Sequence, residues 1–375
     1  MDIYGLALCG GGAKGAFHIG MWKALLKFHY AEKIKAVSGT SVGALNAVLF
    51  SLGDYERARD IWYSIEPDMF LSIKSNGNSL FSRDGLIQII DSLNLSKLKL
   101  DVYVNVYNTE TNQTESYHLN KYDNQTKRQL LLASTALPIA YEKVEIGNTA
   151  YRDGGLRHLG NIPIDPLYKN GCRDIIIGAL DHTFNPYHIH DSIIIKNPYE
   201  KVDFVNQYPN CSIKSIVPLK DLGDLLNGTL NFSKIEIRNK MVQGYQDTKK
   251  QLINEDVFIM KNNYSKINVQ IRCKMEYLFK NAAEIDAFIK CTNFGEINIP
   301  AGTLGGTVWY ENIVELYGWK VQQHKLLGFQ SHYRFLDHNN VRRAWVLDPM
   351  DIIRALEDYE AAIEIDSPAP PLKRY

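Results

Sequence analysis

The chain has 375 residues, 45% of them apolar and 22% charged, enough for one large α/β domain with an appended piece. Its 42 Lys plus Arg balance 42 Asp plus Glu, which argues against a general nucleic-acid binder and leaves only local patches to consider. Five dispersed cysteines with no C-x-x-C pair fit a reducing compartment better than a disulfide framework, and nowhere do about 18 consecutive apolar residues form a membrane span.

The opening residues carry no basic segment and the apolar run stops at glycines, so no Sec signal is expected. The chain reads as cytoplasmic, with any membrane contact peripheral. Leu6 to Gly10 imitates a lipoprotein box, but only five residues precede it and the same run is needed as a strand. Ile3 to Cys9 predicts a buried strand, followed by the loop Gly10-Gly11-Gly12-Ala13-Lys14-Gly15 and a helix over Ala16 to Leu26. Three successive glycines let a backbone aim its own N–H groups into a cavity. A dinucleotide site would need an acidic residue at the end of the second strand, and a P-loop would need Lys and Ser or Thr after Gly15; neither stands there. No cofactor is therefore assigned. Lys14 reads equally as a solvated charge or as a residue that holds a lipid phosphate or fixes the loop.

Next comes Gly39-Thr40-Ser41-Val42-Gly43, between a short apolar run and a helix-forming one. A serine where a strand turns sharply into a helix takes a strained conformation that exposes its hydroxyl, and its neighbours must be small. Ser41 is the candidate nucleophile, with Gly39 and Gly43 as those neighbours. A buried helix follows over Ala44 to Phe50, closed by Gly53, and a further helical pattern runs from Tyr55 to Leu71. Val102 to Tyr107 and Ser116 to Leu119 alternate at period two, as in a hairpin, and Leu130 to Ala136 predicts a helix ended by Pro138. A strand beginning at Tyr151 ends at Asp153, at the lip of the turn Gly154-Gly155. Asp153 is the candidate base, 112 residues beyond Ser41 in the chain. A conventional Ser-Asp-His triad would draw on His158 or His182, but Ser41 comes too early for that fold.

Ile175 to Gly178 and Ile193 to Ile195 read as buried parallel strands. His182, His188 and His190 lie near Asp181 and Asp191, yet without a shared helix face they read as loop residues, and no metal is assigned. The helix from Phe232 to Leu252 carries Lys234, Arg238, Lys240, Lys249 and Lys250, a solvated face rather than a lipid contact. Dense aromatics between Leu304 and Leu347 predict a compact module or a docking surface, and Ser367 to Pro371 a disordered tail.

The glycine loop, the G-x-S-x-G and the D-G-G, in this order, resemble the patatin-like phospholipase family. Ala133 to Pro138, Asn161-Ile162-Pro163 and the stretch around Leu230-Asn231-Phe232 add to the likeness, which covers roughly the first two-thirds of the chain. Two departures are Cys9, where plant members often have Asp, and a stretch from Gly155 to Asn161 that is a residue or two long. The resemblance implies a three-layer α/β/α core with a mostly parallel sheet, plus the small C-terminal module. It implies Ser41 as nucleophile, Asp153 as its base without a histidine, an oxyanion hole from Gly10, Gly11 and Gly12, and loop roles for Ala13, Lys14, Gly15, Gly39, Gly43, Gly154 and Gly155. The expected activity is hydrolysis of lipid or phospholipid esters at a membrane surface. Met69, Phe70, Leu71, Leu80 and Phe81 become candidates for acyl contact, with core packing the competing reading. The alternative is a silent or gated lipid-binding protein whose C-terminal module senses a ligand or partner. The expected division is a hydrolase domain over 1–260, a helical connection over 261–302, the aromatic module over 303–350 and a helix with its tail over 351–375.

Overall fold

A computed structural model describes residues 4–71, 83–137, 140–157, 159–185, 207–253, 264–292, 294, 299–300, 309–325 and 332–369. The chain forms two units. Residues up to 253 together with those from 365 on make the first, and residues 254–364 make the second.

In chain order the first unit runs β1 (Tyr4–Leu8), α1 (Ala16–Lys27), β2 (Ile34–Thr40), α2 (Val42–Leu52), α3 (Tyr55–Ser64), α4 (Asp68–Leu71), α5 (Asp84–Ser92), β3 (Asp101–Asn108), β4 (Gln113–His118), α6 (Asn124–Ser134), β5 (Val144–Ile146), β6 (Thr149–Asp153), α7 (Asp165–Lys169), β7 (Asp174–Gly178), β8 (Ser212–Ile216) and α8 (Lys234–Ile253). The sheet order is β5-β6-β3-β2-β1-β7-β8, with β4 also on β3. The five strands from β3 to β8 are mutually parallel, whereas β4, β5 and β6 pair antiparallel. Burial on both faces explains the apolar runs of β1 and β7. Ala7, Ala36, Ile175 and Ile177 pack with Ile164 and Leu167 beside α7. On the other face, Leu8 and Gly178 meet Met21 of α1.

Several boundaries differ from the sequence reading for local reasons. The pattern from Tyr55 to Leu71 is two helices, because Pro67 cannot continue the first. Asp123, whose side chain accepts from Thr126 N–H, starts α6 six residues before Leu130. Gly53 does close α2, with φ 72°. Lys240 is not on a solvated face: only 3% exposed, it pairs with Glu236 at 3.3 Å. Gly20 and Gly244 explain its burial, since α1 and α8 approach so closely there that a Cβ at Gly20 would lie 1.8 Å from Met241 O. Ile193 to Ile195 fall outside the described residues.

The end of the chain completes this unit. Lys23 Nζ, on α1 and 1% exposed, donates to Ser367 O at 2.7 Å and Pro368 O at 3.0 Å. Asp366 accepts from Tyr63 Oη and Arg238 Nη2, each at 3.0 Å. Where composition suggests disorder from Ser367, residues up to Ala369 are held against α1 and α3.

The second unit contains α9 (Tyr264–Leu278), α10 (Ala282–Cys291), β9 (Ile299–Pro300), β10 (Tyr310–Leu316), β11 (Trp319–His324), β12 (Tyr333–Leu336), β13 (Val341–Val346) and most of α11 (Pro349–Asp366). Its strands form an antiparallel sheet ordered β10-β11-β12-β13-β9. Ile271 and Met275 of α9, with Phe279 just beyond it, share one core with Phe288, Trp319, Val321, Phe335, Ile352 and Leu356. The segment expected to act as a connection therefore supplies over a third of that core. Among the described residues no helix is long and apolar enough to cross a membrane.

Candidate active site

Ser41 stands between β2 and α2 with φ 56° and ψ −128°, a region that L side chains rarely enter. Close packing holds it there. A Cβ on Gly39 would lie 2.2 Å from Gly43 O, and one on Gly43 2.1 Å from Leu8 O, so only glycines let the helix start against the strands. Ser41 N–H donates to Ser134 Oγ at 2.9 Å, and Ser134 Oγ donates to Asn105 O at 2.7 Å. Thus α6 and β3 fix the turn.

Strand order brings Asp153 to the same place. β3 lies between β2 and β6, with Asn105 opposite Thr40 on one side and Val106 opposite Asp153 on the other. Asp153 is 1% exposed, its N–H donates to Ala136 O, and its Oδ1 accepts from Gly155 N–H at 2.8 Å. Burial pushes its pKa up to about 7, against the opposing pull of the Ser41 hydroxyl, the Gly155 amide and the Arg83 charge. The Ser41 hydroxyl thus favours the carboxylate, yet Oδ2 has no partner at hydrogen-bond distance. Gly154 lies against Asn105, where a Cβ would approach its carbonyl oxygen to 2.3 Å.

The glycine loop closes the third side. Gly10 N–H, one of the expected oxyanion donors with Gly11 and Gly12, donates to Asn161 Oδ1 at 2.8 Å. A Cβ on Gly10 would lie 2.6 Å from that oxygen and 2.8 Å from Ser41 Cβ. Gly11 and Gly12 head the short 3₁₀ turn Gly12–Gly15, where N–H groups lack an acceptor within the turn. Gly12 has φ 57°, and a Cβ there would lie 2.4 Å from Thr229 O. Ala13 is buried, and Lys14 is half-buried with its charge acting on Asp181 and Lys240. Gly15 O accepts from Asn46 Nδ2 at 2.9 Å.

Asn46 belongs to a buried network under the site. Its Oδ1 accepts from Trp62 Nε1, and its Nδ2 also reaches His18 Nδ1 at 3.3 Å. His18 Nε2 meets Gly178 O at 3.0 Å, so Nε2 carries the proton and Nδ1 accepts. Burial lowers the His18 pKa to about 4, keeping the ring neutral. His18 is thus a packed residue.

Ser41 opens into a cavity of about 80 Å³ lined by Val42, Leu45, Trp62, Ile65, Leu86, Leu137, Tyr141, Leu230 and Phe232. Met69 is not among its lining residues and instead packs against Gly85. The side chains of Phe70 and Leu71, together with Leu80 and Phe81, lie outside the described residues. Among the described residues the apolar wall comes from α2, α3 and α5 together with Leu137, Tyr141, Leu230 and Phe232. Ser134, Asn105 and Asn161 also escaped attention as site residues, although Ser134 and Asn161 stand inside motifs the sequence singled out.

His182 Nδ1 lies 3.8 Å from Asp181 Oδ1 and 3.4 Å from Asp221 Oδ1, while His158, His188 and His190 lie outside the described residues. Among the described residues no group of three or more His, Cys, Asp or Glu converges as a metal site. Burial raises the Cys9 thiol to about 12, so beside the glycine loop it stays protonated.

Comparison with known proteins places this geometry. Residues 6–168 match the model of the patatin-like phospholipase family. The chain is 27% identical over 209 residues to lysophospholipase NTE1 of Cryptococcus neoformans, which covers 50% of this chain and 12% of that protein. Against lysophospholipase NTE1 of Debaryomyces hansenii it is 27% identical over 195 residues, covering 48% and 12%. The match therefore spans about an eighth of the length of these relatives. VipD from Legionella pneumophila superposes with a TM-score of 0.42 at 17% identity, covering 68% of this chain and 67% of that one. The stretch that carries Ser41, Asp153 and the glycine loop, residues 6–168, is thus the part of the chain that is similar to the patatin-like phospholipase family.

Proposed function

We propose that the protein is a serine acyl hydrolase acting on the carboxyl esters of lipids or phospholipids. The observation that carries this reading is a strained serine at the wall of an apolar cavity beside a buried carboxyl group of pKa about 7. Asp153, ionised, takes the proton from Ser41 as Oγ attacks the ester carbonyl carbon, and the amides of Gly11 and Gly12 receive the oxyanion. The tetrahedral intermediate collapses, and the leaving alcohol takes the proton from Asp153. Water, deprotonated by the same carboxylate, then releases the acid from Ser41. The apolar lining suits the acyl chain, and the match of residues 6–168 to the patatin-like phospholipase model and the likeness to lysophospholipases support the hydrolase class.

Labelling by a fluorophosphonate probe and hydrolysis of a p-nitrophenyl ester test this directly in wild type, Ser41→Ala and Asp153→Asn. Wild type is expected to react, Ser41→Ala to lose labelling, and Asp153→Asn to lose at least about a thousandfold in turnover. Full activity in either variant would sink the dyad.

A further inference from the structure

Two arginines of the second unit, Arg334 and Arg342, have no carboxylate partner among the described residues. Arg334 on β12 is 7% exposed, yet no carboxylate pairs with it among the described residues. Its Nε donates to Gln322 Oε1 at 2.8 Å, and its guanidinium lies 3.4 Å from the centre of the Tyr310 ring. Arg342 on β13 pairs across from Leu336, two residues along β12 from Arg334, so the two arginines share one face of the sheet. Each repels the other's charge at Arg334, and Arg342 Nε is buried with no hydrogen-bond acceptor. The nearby acid Asp337 is taken: its Oδ1 accepts from Val341 and Asn339 N–H, and its Oδ2 faces Arg343 at 3.7 Å.

Placing a guanidinium in a protein interior is costly unless an anion and hydrogen-bond acceptors compensate it. Here the compensation supplied is the Gln322 amide oxygen and the Tyr310 ring and hydroxyl, all neutral. The planar guanidinium fork has the geometry that matches two oxygens of one phosphate. Beside it, Tyr310 Oη and His332 Nε2 share a hydrogen bond of 2.8 Å, and the Trp345 indole, 43% exposed, meets the His332 ring edge-on at 5.2 Å. Trp345 also pairs with Arg334 across β12 and β13, so an open aromatic surface adjoins the buried cation.

We propose that this face of the second unit binds a small phosphate ester of an aromatic or heteroaromatic compound. Arg334 and Arg342 hold the phosphate, and Trp345 takes the ring. The site is separate from the hydrolase chemistry and stands whether or not that chemistry is present.

Calorimetric titration of the full-length protein with phenyl phosphate, inorganic phosphate and phenol, at matched ionic strength, tests it. Phenyl phosphate is expected to bind saturably, more tightly than phosphate, with phenol not binding. Arg334→Met and Arg342→Gln should each weaken it about tenfold or more. Arg334→Met should also leave the melting temperature of the ligand-free protein equal or higher, because it removes an uncompensated charge, whereas a structural arginine would lower it. Should Arg334→Met not fold, Arg342→Gln carries the binding test alone. No saturable binding, equal affinity for phosphate and phenyl phosphate, or variants that bind like wild type would overturn the proposal.

Discussion

At the scale of single residues, the proposed role of Asp153 predicts the pH behaviour. In that mechanism its carboxyl must be ionised to accept the Ser41 proton, so kcat/KM should rise about tenfold per pH unit on the acid side and level off above a midpoint near the value of about 7. A profile whose acid limb lies near the ordinary Asp value would contradict a buried base. The same burial has an opposite consequence for stability. A carboxyl whose pKa is raised in the folded state contributes stability in its protonated form, present below its unfolded value of 3.8 and lost as pH rises through about 7. Asp153→Asn should therefore melt higher than wild type at about pH 8, by a free energy on the order of 2–4 kcal/mol, with the gap closing below about pH 4. Asn161 governs the glycine loop in a similar way. Asn161→Ala frees the Gly10 amide and one anchor of the loop, with an expected loss of about 10²-fold in turnover and little change in the affinity for substrate. Sequence showed Ser41 and Asp153 as a pair only through motif order, since no spacing rule links residues so far apart. That Gly10 N–H was already engaged could not be read, because it depends on where the Asn161 side chain turns.

At the scale of elements, the turn from β2 into α2 concentrates strain that packing must hold. Ser41→Gly removes the serine's conformational cost at φ 56° and should stabilise the fold by about 1 kcal/mol while abolishing probe labelling. Gly43→Ala acts in the other direction, since its methyl would sit 2.1 Å from Leu8 O. A loss of about 3 kcal/mol, read from denaturant unfolding, is expected. The strands and helices around this turn were legible from apolar runs and glycines: β1, β2, α2, β6 and β7 fall where alternation, burial and Gly53 put them. The cavity wall was not. Leu45, Trp62, Leu86 and Tyr141 have the same character as core residues, and only three-dimensional placement separates a lining side chain from a buried one. Lys240 failed for a related reason, because the charge of a side chain does not reveal that glycines let two helices close over its stem.

At the scale of the whole molecule, the chain was expected to divide in order, but the first unit is discontinuous. Residues 365–369 return to it after the second unit is complete. A chain truncated after Glu364 loses the carbonyls of Ser367 and Pro368 that accept from buried Lys23, and the carboxylate of Asp366 that accepts from Tyr63 and Arg238. Thermal unfolding of that truncation should show the first unit weakened by roughly 2–3 kcal/mol, with Lys23→Met recovering part of the loss. Composition alone could not place this contact. A Pro-rich stretch with few apolar residues reads as disorder, and its hold on α1 rests on backbone carbonyls that every sequence carries.

The returning segment also sets an order in time. During synthesis, the sheet that carries Ser41 and Asp153 emerges from the ribosome long before residues 365–369, with the whole second unit between them. Until residues 365–369 emerge, the ammonium of Lys23 has not met the carbonyls that cover it, and the first unit is at its least stable. The first unit thus reaches its full strength only after the whole second unit has been made.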